Sequence, residues 1–386
     1  MLAAREQAVS AGRLPDPVLR LSLDNLPVEG PMRYSLTDDF MTMRSVGLTQ
    51  TFVGSAKRQA RAARYEREAD AASAVRLMQT ARLSAQTARA WFERYFQEQM
   101  VTLIEQQRDE AGRVREAVEA AYRGGRSTQA DVLAAHAAVA RIDDRLHEVR
   151  ADLANARALL QRWTGDSDGR PLGTPPDTAR TRVAEHALDH EIDRHPDIAV
   201  MNARERMALA EADVARQDRN ADWTWSLMYS NRGDQFGDMV SFGVSVPLQW
   251  DQARKQDRDL SARLQKAEQL RLEREEVRRE HVFEVRRLLA GWRSNLARLE
   301  DYDSTLVPLA MERVAAMEAA FRGGRAPLSA VLDTQRMVTD VRLERLRIER
   351  QAAAAWAELE FLIPSEQLTQ APSISPSNPS TPELQP

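Results

Sequence analysis

Two stretches in the second half of the chain alternate between apolar and polar side chains. In residues 223–229 the apolar positions are Trp223, Trp225, Leu227 and Tyr229. In residues 240–248 they are Val240, Phe242, Val244, Val246 and Leu248. A period of two predicts β-strands with one apolar and one mostly polar face. The turn-rich sequence NRGDQFGD between them completes a predicted strand pair.

A second strand pair is predicted in the first half. Residues 18–24 alternate, with leucine at every second position. Their partner, residues 41–52, alternates poorly and is predicted mainly from a repeat. VGLTQTF at 46–52 resembles FGVSVPL at 242–248, so the two halves carry related strands.

Each strand pair is followed by a stretch typical of long helices. Residues 53–122 contain no proline and predict a helix of roughly 105 Å at about 1.5 Å per residue. Residues 251–321 are similar, but Pro308 should kink this helix or divide it. Shorter helices are predicted at 127–163, 327–362 and 197–220.

The turns between long and shorter helices are nearly identical in sequence. AYRGGRSTQADVL at 121–133 matches AFRGGRAPLSAVL at 320–332, and both predict antiparallel helical hairpins. The fold class is therefore mainly α with a small β part, built from two structural repeats. Their bounds are residues 1–194 and 195–363, followed by a Pro/Ser-rich tail at 364–386 that we predict to be disordered.

The first repeat is expected to lack part of its entry helix. AREQAVSAGRLPDP resembles the last part of a helix, and we infer a truncated start that removed any export signal. The first repeat then comprises a strand pair at about 17–52, a hairpin at 53–163 and a polar link at 164–194. A short helical piece is predicted near 181–191 in that link. The second repeat has its strand pair at 223–248 and its hairpin at 251–362.

Composition excludes several functional classes. The chain has no cysteine, so disulfides, thiolate catalysis and cysteine metal sites are excluded. The net charge is −4 with both signs interspersed, and no basic stripe indicates nucleic-acid binding. No nucleophile motif, phosphate loop or dinucleotide fingerprint is present, so neither an enzyme nor a cofactor is expected.

Four strands with an apolar outer face do not form a stable sheet alone. Closure removes open edges and is compulsory in a bilayer, where unpaired backbone groups are very costly. Four strands are too few for a membrane barrel, so several chains would each contribute four, and three chains would give twelve. The alternative from pattern alone is a small soluble β-layer packed on helices.

The two-glycine turns are predicted helix ends. Gly124 or Gly125 takes the left-handed position after the first helix, and Ser127 or Thr128 caps the next. Two similar exposed tips also predict a docking surface. Its candidate residues are Tyr122, Arg123, Gly124, Gly125, Arg126, Phe321, Arg322, Gly323, Gly324 and Arg325.

Two carboxylates near the tips are candidates for a pore constriction. Asp131 and Asp333, repeated across chains, would form an acidic ring that favours cations. The alternative for Asp131 is interaction with the nearby helix N-terminus. His186 and His190, spaced i, i+4, are weak candidates for zinc or copper ligands, and a charged solvated helix is the alternative.

The order of strand pair, long helix, aromatic-x-Gly-Gly turn and helix, present twice, resembles the TolC-like outer-membrane efflux proteins over about residues 1–363. HPDI at 195–198 resembles that family's Arg-Pro-Asp-Leu. Residues 11–52 resemble the heavy-metal cation efflux branch, the CzcC/CusC kind. Asp333 falls on an acidic constriction position of the family, whereas Ala330 replaces a frequent Asp.

The resemblance implies a homotrimer with a twelve-stranded barrel in outer-membrane lipid and an α-helical tunnel through the periplasm of a Gram-negative bacterium. It implies a periplasmic adaptor and an inner-membrane resistance-nodulation-division pump as partners, and passive conduction of heavy-metal cations. The alternatives are a duct for drugs or for type I secretion, or a soluble coiled-coil scaffold of a different class.

Overall fold

The computed structural model describes residues 1–166, 169–183, 192–233 and 236–362. The helices are α1 (Leu2–Ala11), α2 (Ser55–Arg123), α3 (Gln129–Thr164), α4 (Pro196–Gln217), α5 (Gln256–Asp301), α6 (Val307–Arg322) and α7 (Leu328–Glu360). The strands are β1 (Val18–Asp24), β2 (Met43–Phe52), β3 (Trp223–Asn231) and β4 (Met239–Ser245). The described chain is thus mostly helical, as predicted.

The four strands form one antiparallel sheet in the order β1-β2-β3-β4. β1 has the predicted bounds, and β2 and β3 each differ by two residues at one end. The prediction for β4 was wrong at its end, because the strand stops at Ser245 and leaves Val246 outside. Pro247 has no backbone N–H to donate to a ladder and explains the early stop.

The long helices follow the sequence prediction closely. α2 runs without interruption for 69 residues. The second long helix is divided, as Pro308 predicted: α5 ends at Asp301, a π-helical turn spans Tyr302–Leu306, and α6 follows. No helix among the described residues is long and apolar enough to cross a membrane. The predicted helical piece near 181–191 lies mostly outside the described residues, and Ile192–Arg194 form a 3₁₀ turn.

The chain divides into two compact units, and each draws on both halves of the sequence. The strand unit contains residues 1–76 and 197–277, which include the whole sheet. The hairpin unit contains Leu77–Pro196 and the chain from Arg278 onward.

In the strand unit the helical core is built largely from alanine. Buried examples are Ala4, Ala8, Ala69, Ala203, Ala208, Ala212, Ala215 and Ala267. Lys57 fixes the entry to β3: its buried ammonium contacts Asp222 at 3.0 Å and Asp218 at 3.4 Å, and donates to the carbonyl of Asn220 at 3.0 Å. A buried cation needs such partners, so this cluster holds the sheet on its helices.

In the hairpin unit the core is aromatic. Phe92 and Phe96 of α2 belong to one buried cluster with Trp292 of α5 and Trp356 of α7. The indole of Trp292 donates to the carbonyl of Thr178 at 3.0 Å, and that of Trp356 to Arg180 at 2.6 Å. The polar link is therefore fixed to the helices by partly buried hydrogen bonds.

Candidate channel surfaces

One face of the sheet is apolar and exposed. The register places Val46 opposite Tyr229, and Leu48 opposite Leu227, which in turn lies opposite Phe242. The apolar candidates in the strands therefore share this face, and they are Trp223, Trp225, Leu227, Tyr229, Val240, Phe242 and Val244. Phe242 is 69% exposed and Leu227, in a central strand, still 45%. An exposed apolar surface of this extent is typical of a membrane or protein interface.

The opposite face is made of small and polar side chains. The hydroxyls of Ser45 and Ser230 are 2.8 Å apart, and those of Thr51 and Thr224 are 3.0 Å apart. Ser45 also donates to the carboxylate of Asp24 at 2.9 Å. The two faces thus differ in the way the alternating sequence predicted.

The ends of the sheet differ in their aromatic side chains. The rings of Phe52 and Trp223 stack at 4.6 Å at the end nearest the helices. At the other end Phe40 lies 6.5 Å from Phe236, in the two connecting loops. Aromatic rings at both ends of an apolar band are a feature of proteins that sit in a membrane interface.

The two tips close with the same backbone hydrogen bonds. At the first tip the N–H of Arg126 donates to Ala121 at 2.8 Å and that of Gly125 to Tyr122 at 3.0 Å. At the second tip Arg325 donates to Ala320 and Gly324 to Phe321, at 2.8 and 2.9 Å. This pair of bonds is the Schellman motif. Gly125 and Gly324 adopt φ of 68° and 70°, which selects the second glycine of each pair.

All ten predicted tip residues are exposed, including the rings of Tyr122 and Phe321. Beneath them lies a small buried cluster of Val118, Ala135 and Leu328. The cluster joins the first hairpin to the second, so the tips form one continuous end of the hairpin unit. Their role in docking remains a prediction.

The helices that leave the tips begin differently. Thr128 caps α3 by accepting the N–H of Asp131 at 3.1 Å, and the Asp131 carboxylate accepts from the N–H of Thr128 at 3.0 Å. The sequence left the choice between Ser127 and Thr128 open, and the structure selects Thr128. α7 instead begins after Pro327, which has no side-chain cap.

These contacts give Asp131 a structural role. Hydrogen bonds from Thr128, and a smaller one from Ser127, hold the pKa of the Asp131 carboxyl below its ordinary value. The alternative foreseen for Asp131, interaction with the helix N-terminus, is therefore present. Its contribution to a constriction stays a prediction.

Asp333 is exposed and lies in a groove between the two hairpins. The groove has a volume of about 330 Å³ and is lined by α2, α3 and α7. Its charged side chains are Glu110, Asp333, Arg141, Arg145 and Arg336, so arginines outnumber carboxylates. Next to the groove Arg145 contacts Asp340 at 2.6 Å and links α3 to α7.

The weak metal candidates His186 and His190 lie outside the described residues. Two other histidines meet in the hairpin unit, where the rings of His195 and His281 are 4.3 Å apart. Sequence reasoning missed this pair because the two residues are distant in the chain and share no local motif. It also missed the Arg145–Asp340 contact for the same reason.

Part of the chain matches a known protein family, and its fold matches solved structures. Residues 187–364 match the family model described as outer membrane efflux protein. The matched residues make up slightly less than half of the chain. A search of curated protein sequences finds no match.

Solved channel structures share the fold over almost the whole chain. The chain is similar to the outer-membrane channel OprN (17% identity, TM-score 0.76, 94% of this chain and 84% of that one). It is similar to CusC (15%, TM-score 0.78, 93% and 86%), described as forming a transmembrane channel. It is also similar to VceC from Vibrio cholerae (16%, TM-score 0.71, 92% and 90%). At these identities the likeness establishes the fold.

Proposed function

We propose that this chain is the outer-membrane exit duct of a tripartite resistance-nodulation-division efflux system, and that it conducts heavy-metal cations passively. The observation that carries the proposal is the two-faced sheet. Its apolar face is exposed even in the central strands, while its opposite face is hydroxyl-rich. Such a sheet suits lipid on one side and water on the other.

The edges of the sheet support assembly of several copies. β1 and β4 are edge strands, and each has a partner on one side only. In lipid these edges must pair, and β4 of one copy with β1 of the next provides that pairing. Three copies give a closed barrel of twelve strands, with the hydroxyl-rich face lining the lumen.

The hairpin tips are the proposed docking surface for a periplasmic adaptor, which joins the duct to an inner-membrane pump. In support of this role, the tips present exposed Tyr122 and Phe321, each followed by arginines. Exposed aromatic and arginine side chains are the residue types enriched at protein interfaces.

A matched pair of substitutions tests the membrane assignment. Leu227→Arg places a charge on the apolar face, and insertion into a bilayer should cost about 2–4 kcal/mol more. Met228→Arg, one residue along, places the same charge on the opposite face. Yield of trimer in the outer-membrane fraction should fall for the first variant and stay near wild type for the second. Equal trimer yields of the two variants would overturn the proposal. Recovery of the parent chain from the cytosol as a monomer would also overturn it, because that is the behaviour expected of a coiled-coil scaffold.

The heavy-metal substrate is tested separately in a deletion strain. Loss of the gene should sensitise cells to cobalt, zinc, cadmium, copper or silver, and the intact gene should restore tolerance. Asp333 supplies the acidic group at the candidate constriction, so Asp333→Asn should lower the cation-over-anion permeability ratio in planar bilayers. Unchanged metal tolerance would reject this substrate class.

A drug or polypeptide duct is the second candidate, and one observation favours it. Arg141, Arg145 and Arg336 line the groove that contains Asp333, and Ala330 supplies no second carboxylate. The groove therefore carries more arginines than carboxylates, and such a lining favours cations less than an acidic ring would. New drug sensitivity with normal metal tolerance in the deletion strain would select this candidate.

A further inference from the structure

His195 and His281 form a close pair within the hairpin unit. Their ring centroids are 4.3 Å apart with an interplanar angle of 76°, and their candidate ligand nitrogens lie within 4.8 Å of each other. His195 is buried and His281 is half-buried.

The backbone on both sides of the pair is held in place. His195 follows the 3₁₀ turn Ile192–Arg194, whose Ile192 is buried in the aromatic cluster. The N–H of His195 donates to the carbonyl of Ile192 at 2.9 Å. One turn before His281 on α5, Arg278 donates to Asp193 at 3.0 Å. The two imidazoles thus project from fixed elements, as a preorganised site requires.

We propose that His195 and His281 bind a divalent cation of the zinc and copper class. Imidazole nitrogen is a preferred ligand for these metals, with a bond of about 2.0–2.1 Å to zinc. Two such bonds at a tetrahedral angle separate the nitrogens by about 3.4 Å. This separation is compatible with the observed limit of 4.8 Å between the ligand atoms. The proposed ion stays bound to these side chains and is distinct from any ion that the duct conducts.

Calorimetric titration of the purified full chain with Zn²⁺ tests the site. The parent chain should bind one ion, and His195→Gln and His281→Gln should each bind at least tenfold more weakly. His147→Gln, at an exposed position of α3, is the matched control and should bind as the parent does. Absence of Zn²⁺ binding by the parent, or equal binding by all variants, sinks the proposal.

A second measurement does not depend on changing either histidine. The chain has six histidines, and the other members are His136, His147, His186 and His190. With those replaced by glutamine, the electron paramagnetic resonance spectrum of bound Cu²⁺ should show coupling to two imidazole nitrogens. No coupled nitrogen, or loss of Zn²⁺ binding when only His186 and His190 are replaced, assigns the metal elsewhere and overturns the site.

Discussion

The two hairpin tips share one turn and differ in the helices that follow it. Both turns use the same Schellman hydrogen bonds and the same left-handed second glycine. The first tip then starts α3 with a Thr128–Asp131 capping box, whereas the second starts α7 with Pro327 and a buried Leu328. Local hydrogen bonds stabilise one helix start, and burial of an apolar side chain stabilises the other.

This difference predicts unequal costs at equivalent positions. Leu328 is 3% exposed, and its counterpart at the first tip is the exposed Gln129. Leu328→Ala should lower the local free energy of opening by about 2–5 kcal/mol, because it removes a buried side chain and leaves a cavity. Gln129→Ala should change it by less than about 0.5 kcal/mol. Hydrogen exchange of tip peptides measures both, and equal effects would show that the tips are stabilised in the same way.

The shared turn predicts equal costs at the glycines. Gly125 and Gly324 both have positive φ, and no atom lies within 4 Å of an added Cβ. Alanine at either position should therefore cost about 1–2 kcal/mol from backbone strain alone. Gly124→Ala and Gly323→Ala are controls, since neither has positive φ. A markedly larger cost at one tip, again by hydrogen exchange, would contradict the equivalence of the two turns.

The sequence predicted the shared features better than the differences. Alternation located β1 to the residue, and the Gly-Gly pairs located both turns, because these signals are local. Pro247 could have corrected the predicted end of β4. The capping choice between Ser127 and Thr128 depends on backbone angles that no residue pattern fixes. Long-range partners such as Arg145 and Asp340 depend on how two hairpins pack.

The capping box makes the first tip sensitive to acid. Thr128→Ala should destabilise the start of α3 by about 1 kcal/mol, because the N–H of Asp131 loses its acceptor. The pKa of Asp131 is lowered in the folded state. The carboxylate therefore stabilises the start of α3 at pH values above its ordinary pKa, and this stabilisation disappears as pH falls through its folded-state pKa. The counterpart of Asp131 at the second tip is Ala330, which cannot titrate.

Asp131→Asn tests this dependence. Hydrogen-exchange rates corrected for intrinsic pH effects should show the first tip less stable in the variant at pH 7. The difference should shrink as pH falls through the folded-state pKa of Asp131, which lies below the ordinary value of an aspartate. The second tip should show no difference between the variant and the parent at either pH. If the difference at the first tip persisted unchanged in acid, the Asp131 carboxylate would not be the group that stabilises this tip.

The smallest expected effect comes from equivalent positions of the two structural repeats that carry charges of opposite sign. In the alignment of the tips, Asp340 is the counterpart of Arg141, and Glu344 the counterpart of Arg145. Arg145 contacts Asp340 across α3 and α7, whereas Arg141 donates to the carbonyl of Ala137 on its own helix. A double-mutant cycle of Arg145→Ala and Asp340→Ala should give a coupling of about 0.2–1 kcal/mol, since both side chains are partly exposed. The matched cycle with Arg141→Ala should give almost no coupling.

Coupling that survives molar salt would indicate packing rather than charge, because an exposed pair is screened at that ionic strength. A coupling near zero for both cycles would mean that opposite charges at equivalent positions do not help join the two hairpins.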